Sequence, residues 1–265
     1  MKIKEIVSAL ERFAPLPLQD GFDNAGLQIG LTEAEATGAL LCLDVTEAVL
    51  DEAIALGYNL VISHHPLIFK GYKSITGKDY VERCILKAIK NDIVIYSAHT
   101  NLDNAQGGVN YKIAEKIGLK NLKVLEPKEN SLQDDLTQAG AGIVGELDEP
   151  ETELEFLKRI KKTFEVGCVR HNRLTGREIQ KVALCGGAGA FLLPQAIRAG
   201  ADVFITGEIK YHDYFGHEGD ILMAEIGHYE SEQYTKEIFY SIIRDLFPNF
   251  ALQSSKINTN PIKYL

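Results

Sequence analysis

The chain is short of several things, and each shortage narrows what it can be. No apolar run approaches the roughly 20 residues that a membrane-spanning helix needs, which excludes that class. Positive charge is in deficit: 28 Lys and Arg stand against 37 Asp and Glu, a formal net charge of -9. A protein that coats nucleic acid carries a basic stripe, so that role is set aside, although a nucleotide held in one local pocket is not. Cysteine is scarce, and Cys42, Cys84, Cys168 and Cys185 show no C-x-x-C spacing. Cys42 and Cys185 lie inside apolar runs and read as small core residues. The expected compartment is a reducing cytoplasm. The opening Met-Lys-Ile-Lys-Glu-Ile reads as the start of an amphipathic helix and not as a signal peptide. No low-complexity segment or block of like charge stands out.

What is present is the composition of a soluble globular protein, with enough length (265 residues) for one large α/β domain or two small ones. The spacing of Ile3, Ile6, Val7, Leu10 and Phe13 predicts a helix over 3–13. Apolar runs predict strands over 38–43, 60–63, 93–97, 180–185, 202–206 and 220–225. Helices are expected between them: one capped by Asp44 or Thr46 and closed at Gly57, then 80–90, 107–118, 151–164, 190–199 and a long one over 231–246. The polar stretch 126–140 reads as a connection. Alternating strands and helices imply an α/β fold with a parallel or mixed sheet covered on both faces.

The second half repeats the first. At an offset of 143, Gly38-Ala39-Leu40-Leu41-Cys42 meets Lys181-Val182-Ala183-Leu184-Cys185, Gly57 meets Gly200, and Asn59 to Ser63 meets Asp202 to Thr206. At an offset of 129, His99-x-x-x-Asp103 meets His228-x-x-x-Glu232. Two similar α/β lobes are therefore expected, over 1–125 and 126–265, facing one another.

The chemistry-bearing residues gather where these strands end. His64-His65 follows Leu60-Val61-Ile62-Ser63, and neighbouring side chains on an extended backbone point to opposite sides, so the pair can serve two different ions. His99, Asp103, His228 and Glu232 also follow apolar strands, at the edge where open α/β sheets bind ligands. Histidines with carboxylates suit a pair of divalent ions sharing a carboxylate. Nitrogen and oxygen donors admit Zn, Mn, Fe, Ni or Co alike. Each residue also has a plain reading: a hydrogen-bonded loop histidine, or Asp103 as a helix cap. His212 and His217 lie in the repeat counterpart of the His64-His65 loop, as substrate contacts or as ordinary polar residues. Lys70 and Lys73 are phosphate contacts or solvated side chains. Gly186-Gly187-Ala188-Gly189 has part of the pattern of a phosphate-cradling turn but lacks its full spacing. His171 has no evident partner.

Ser63-His64-His65-Pro66, Ser97-Ala98-His99-Thr100-Asn101-Leu102-Asp103, Thr206-Gly207-Glu208-x-Lys210-Tyr211-His212 and Gly227-His228-x-x-Ser231-Glu232 resemble the GTP cyclohydrolase I type 2 homolog family, also called the NGG-one interacting factor three-like family. Asp23-Asn24-Ala25-Gly26-Leu27-Gln28 fits its N-terminal motif, so the resemblance spans essentially the whole chain. It implies two similar lobes with a dinuclear metal site in the cleft between them, and a ring-shaped homohexamer. Carried over by position, it assigns His65, Asp103 and Glu232 to one ion and His64, His228 and Glu232 to the other. His99 is left for proton transfer. The family commonly has a tryptophan near Phe22; this chain has none, and Phe22 is expected to keep the aromatic role. Some members carry a large inserted domain, and the short spacing here reads as the compact form.

The expected function is a metal-dependent hydrolase acting on a small molecule, a nucleotide or related heterocycle, as the family name implies. The alternatives are a non-catalytic metal chaperone or regulatory adaptor, and a structural role in which metal closes the two halves.

Overall fold

A computed structural model describes residues 1–128, 139–217 and 219–265; ten residues of the anticipated 126–140 connection lie outside it. In chain order the first elements are α1 (Ile3–Phe13), β1 (Gly26–Ile29), β2 (Ala39–Cys42), α2 (Glu47–Leu56), β3 (Leu60–Ser63), α3 (Tyr80–Lys90), β4 (Val94–Ser97) and α4 (Thr100–Asp103). There follow α5 (Val109–Ile117), β5 (Lys120–Pro127), β6 (Gly140–Thr152), α6 (Glu153–Thr163), β7 (Arg170–His171), β8 (Glu178–Cys185), α7 (Leu193–Arg198), β9 (Val203–Thr206), β10 (Leu222–Glu225), α8 (His228–Glu232), α9 (Thr235–Leu246) and β11 (Leu252–Ser254). The chain divides into two compact units: Met1–Leu102 with Thr235–Pro261, and Asp103–Tyr234 with Ile262–Leu265.

Among the described residues the first unit holds a five-stranded sheet in the order β1-β4-β3-β2-β11. β2, β3 and β4 run parallel, β11 joins β2 in parallel, and β1 is antiparallel to β4. Every residue of β2, β3 and β4 is buried, which is why these strands are continuous apolar runs. On one face Leu40, Cys42, Val61 and Ile95 pack with Val49, Ala53, Val81, Cys84 and Ile85 from α2 and α3. The alternate residues Leu41, Leu60, Ile62 and Tyr96 are equally buried, so the other face is covered too. Each fully buried Leu or Ile stabilises the fold by roughly 1.5–3 kcal/mol.

The second unit holds a six-stranded sheet in the order β5-β6-β8-β9-β10-β7, again mixed, with β8, β9 and β10 parallel. Ala183, Phe204 and Met223 pack with Leu193 and Ala196 of α7 on one face. α5 and α6 contact β6 and β8. A reciprocal capping box starts α6: Thr152 accepts from the Glu155 backbone N–H, and the Glu155 side chain accepts in return from Thr152.

The repeat seen in the sequence is a repeat of register. Ala39 lies beside Leu60 in one sheet, and Val182 lies beside Val203, 143 positions on, in the other. It extends to a strand the apolar pattern does not mark. β1 is antiparallel to β4, and the two-residue β7 is antiparallel to β10 in the same way. The expectation of one long helix over 231–246 is corrected: α8 ends at Glu232 and α9 begins at Thr235. That break coincides with the chain's passage from the second unit to the first. Among the described residues no helix is long and apolar enough to cross a membrane.

Candidate metal centre

In the first unit the C-terminal ends of β3 and β4 carry three histidines. The strand β3 stops at Ser63, so His64 and His65 do not alternate across a pleat as an extended backbone would require. Their backbone N–H groups instead donate to the carbonyls of Cys42 and Leu43, at 3.3 and 3.0 Å. The two rings therefore come together, with centroids 5.0 Å apart, and the His99 ring lies 5.2 and 5.5 Å from them. One ring nitrogen of each of the three falls within 4.8 Å of the others, close enough to share an ion.

What each ring presents is decided by its Nδ1. His64 Nδ1 lies 2.8 Å from the Ala98 carbonyl oxygen, which can only accept. The proton is thus on Nδ1, and in the neutral ring Nε2 carries the lone pair. His65 Nδ1 is held at 2.6 Å by Asp44, and His99 Nδ1 at 2.8 Å by Asp23. Asp44 is in turn fixed by the Thr259 hydroxyl at 2.6 Å, and Asp23 by the Thr100 hydroxyl at 2.5 Å and backbone N–H at 3.0 Å. Burial pushes both carboxyls upward, but the hydrogen bonds outweigh it. Asp44 is held below the usual carboxylate range by His65 and Thr259, and Asp23 at about 2 by His99 and Thr100. Asp44 is therefore not the cap of α2; Thr46 fills that place, accepting from the Val49 N–H at 3.3 Å.

In the second unit His228 and Glu232 occupy one face of α8, at the i and i+4 spacing. His228 Nε2 lies 3.1 Å from a Glu232 carboxylate oxygen, and His228 Nδ1 is held at 2.7 Å by Glu208. Glu232 is buried. The glycines around it explain how it fits. Gly187 adopts φ +58°, and a Cβ there would come within 2.3 Å of Glu232 Oε1. The backbone N–H groups of Gly186, Gly187 and Gly189 already donate to Asn110, Ser231 and Thr206. The three glycine N–H groups of the Gly186–Gly189 turn are thus spent within the fold, and Gly186 and Gly187 make room for Glu232.

Asp103 ends α4 and is half-buried; α5 is capped by Gly108, so Asp103 does not cap it. His212 and His217 line a cleft of about 550 Å³ in the second unit together with Phe191, Lys210 and Glu208, the residue that also holds His228. Lys70 and Lys73 are exposed. His171 is exposed in β7, with Nδ1 2.7 Å from the Asn172 carbonyl.

Sequence reasoning missed the carboxylates that orient the rings: Asp23, Asp44 and Glu208. A signal for one existed. Glu208 stands 143 positions after His65, at the repeat position of the second histidine.

The model of the family Duf34/NIF3 (NGG1p interacting factor 3) matches residues 1–261. The chain belongs to that family. A relative from Clostridium perfringens, called GTP cyclohydrolase 1 type 2 homolog, is 37% identical over 235 residues, covering 88% of this chain and 87% of its own. A Staphylococcus aureus relative of the same name is 28% identical over an alignment of 368 positions that covers both chains fully. Its excess over the 265 residues here is chain that this family member lacks. The crystal structure of a Staphylococcus aureus hypothetical protein superposes with a TM-score of 0.91 at 32% identity, covering 100% of this chain and 99% of that one. The fold just described is thus a known fold of the family.

Proposed function

We propose that this family member is a dinuclear divalent-metal hydrolase acting on a nucleotide or a related heterocycle. The observation that carries the reading is the presentation of histidine. In His64, His65 and His228, the histidines of the proposed ligand set, Nδ1 is engaged by a carbonyl or carboxylate oxygen. That is the arrangement by which proteins fix the tautomer and orientation of metal-binding imidazoles. The donors are nitrogen and oxygen with no cysteine, which fits divalent ions of the Zn, Mn, Fe, Ni or Co kind.

In this reading His65, Asp103 and Glu232 hold one ion, and His64, His228 and Glu232 hold the other, with Glu232 as the shared carboxylate. Each unit contributes ligands to this set: His64 and His65 belong to the first, and Asp103, His228 and Glu232 to the second. Two ions held by these residues would supply Lewis acidity and an acidified water. His99 would take up and return a proton at Nε2, its Nδ1 being held and the ring oriented by the Asp23 carboxylate at 2.8 Å. The name that the relatives carry, GTP cyclohydrolase 1 type 2 homolog, supports a nucleotide-like substrate, and the assembly proposed with it is a homohexamer.

Metal analysis of the protein as isolated, followed by incubation of the Mn- or Zn-loaded form with GTP and detection of formate, tests the reading. The expected result is two ions per chain and formate above a His65→Ala control. Formate no higher than in that control would overturn the hydrolase; absence of bound metal would overturn the centre itself.

A further inference from the structure

Two large aromatic side chains that a soluble protein would ordinarily bury stand exposed beside the histidine cluster. Phe22 is 66% exposed and Phe69 45%. Their ring centroids are 6.3 Å apart, and Phe69 meets the His99 ring edge-on at 6.1 Å. Phe22, Phe69 and His99 all belong to the first unit.

Both phenylalanines hang from anchored backbone. Phe22 sits within a turn closed by the Asp23 N–H donating to the Asp20 carbonyl at 3.0 Å. The Asp20 N–H donates to the Thr100 hydroxyl at 2.8 Å, and Asp23 holds His99 and Thr100. On the other side, Ile68, the neighbour of Phe69, is tied at both backbone groups. Its N–H donates to the Gln28 side chain at 3.1 Å, and its carbonyl accepts from Asn24 at 2.6 Å. Asp23, Asn24 and Gln28 thus fix His99 and both walls of the aromatic pair at once. Two rings on backbone held this way, tilted 44° to each other, each offer an apolar face against which a flat ring can lie with little backbone ordering on binding.

We propose that Phe22 and Phe69 form a stacking shelf for the ring of a planar heterocyclic substrate, a purine or a molecule of that shape, and so set the specificity of the site. The proposal rests on the reading of the histidine cluster as the reacting centre, since the shelf abuts His99. A base laid against the shelf gains dispersion and stacking from either ring face, a contact that any flat π-system satisfies and a sugar phosphate does not. The shelf therefore selects for planarity, leaving the hydrogen-bonding edge of the base to other groups.

The chain has no tryptophan, so Phe22→Trp installs a single indole reporter on the shelf. Guanosine monophosphate is expected to change the emission of that variant saturably, and ribose 5-phosphate is not. In calorimetry, Phe22→Leu with Phe69→Leu is expected to weaken guanosine monophosphate binding about tenfold or more, the usual worth of a base–aromatic stack. Ribose 5-phosphate binding, metal content and melting temperature should stay as in the unsubstituted protein. Equal emission changes from both probes, or unaltered binding of the nucleotide by the double variant, would overturn the shelf. A drop in sedimenting mass of the double variant with nucleotide binding intact would assign the surface to contact between copies and overturn it as well. Emission changes that persist in protein shown to hold no metal would retire the metal reading while leaving the shelf. Full metal content with no response to nucleotide would retire the shelf alone.

Discussion

At the scale of single residues, the histidines were legible in the sequence and their supports were not. A His-His pair after an apolar run marks itself by chemistry and position. Asp23, Asp44 and Glu208 do not, because a loop carboxylate becomes an imidazole's partner only through folded proximity; Asp23 reaches His99 across 76 positions. The convergence of the His64 and His65 rings was also hidden, since it depends on β3 ending one residue before them. A consequence for acid stability follows from Asp23. Its carboxyl is held at about 2 when folded, against about 3.9 in an unfolded chain. A group whose folded value is depressed contributes stability above its unfolded value and loses it as pH falls through the folded one. Allowing for solvent screening at this partly exposed site, Asp23 stabilises the fold by about 1 kcal/mol at neutral pH, declining from about pH 5 toward pH 2. Denaturant titrations across that window should show a shallower decline for Asp23→Asn than for the unsubstituted chain, and equal slopes would remove the His99 and Thr100 bonds as the cause.

At the scale of elements, legibility followed burial. β2, β3, β4, β9 and β10 are apolar almost throughout, and their runs mark them. β1 and β11 are short and partly exposed and β7 is two exposed residues, so no alternation or run announces them. β5 and the thirteen-residue β6 were missed for a related reason: β5 is largely exposed, and β6 carries glycines at one end and acidic residues with a proline at the other. An amphipathic stripe over 231–246 does not record that its start belongs to one unit and the rest to the other, so the break after Glu232 was invisible. The turn Gly186–Gly189 teaches the converse, that a glycine cluster can mark a side chain's space as well as a ligand's. Gly187→Ala places a methyl group against Glu232 in a backbone conformation that alanine adopts at a cost of roughly 1 kcal/mol. The expected outcome is at least about tenfold weaker metal binding with the melting temperature only modestly lowered, measured by competition with a chelator. Undiminished affinity would mean that the Glu232 carboxylate has no part in holding metal.

At the scale of the molecule, the free cysteines give a test of the whole packing. Cys42, Cys84 and Cys185 are buried, while Cys168 is exposed. Burial pushes the Cys42 thiol up strongly and the Cys84 thiol up to about 11, so neither is reactive while the fold holds. A maleimide should label Cys168 quickly in the native protein and all the thiols only after unfolding, as read by mass spectrometry; rapid labelling of Cys42 or Cys84 would contradict the packing. The discontinuity of the first unit has a further consequence, in the order of synthesis. The second unit's strands and helices have all been made once Glu232 has emerged. The first unit must wait for α9 and for β11, the partner on the open edge of β2, although its N-terminal 102 residues are made first. Until then β2 offers unpaired backbone to any passing strand. The sheet whose first strands are made earlier is therefore completed after the other one, and its open edge stays exposed while residues 103–234 are being made.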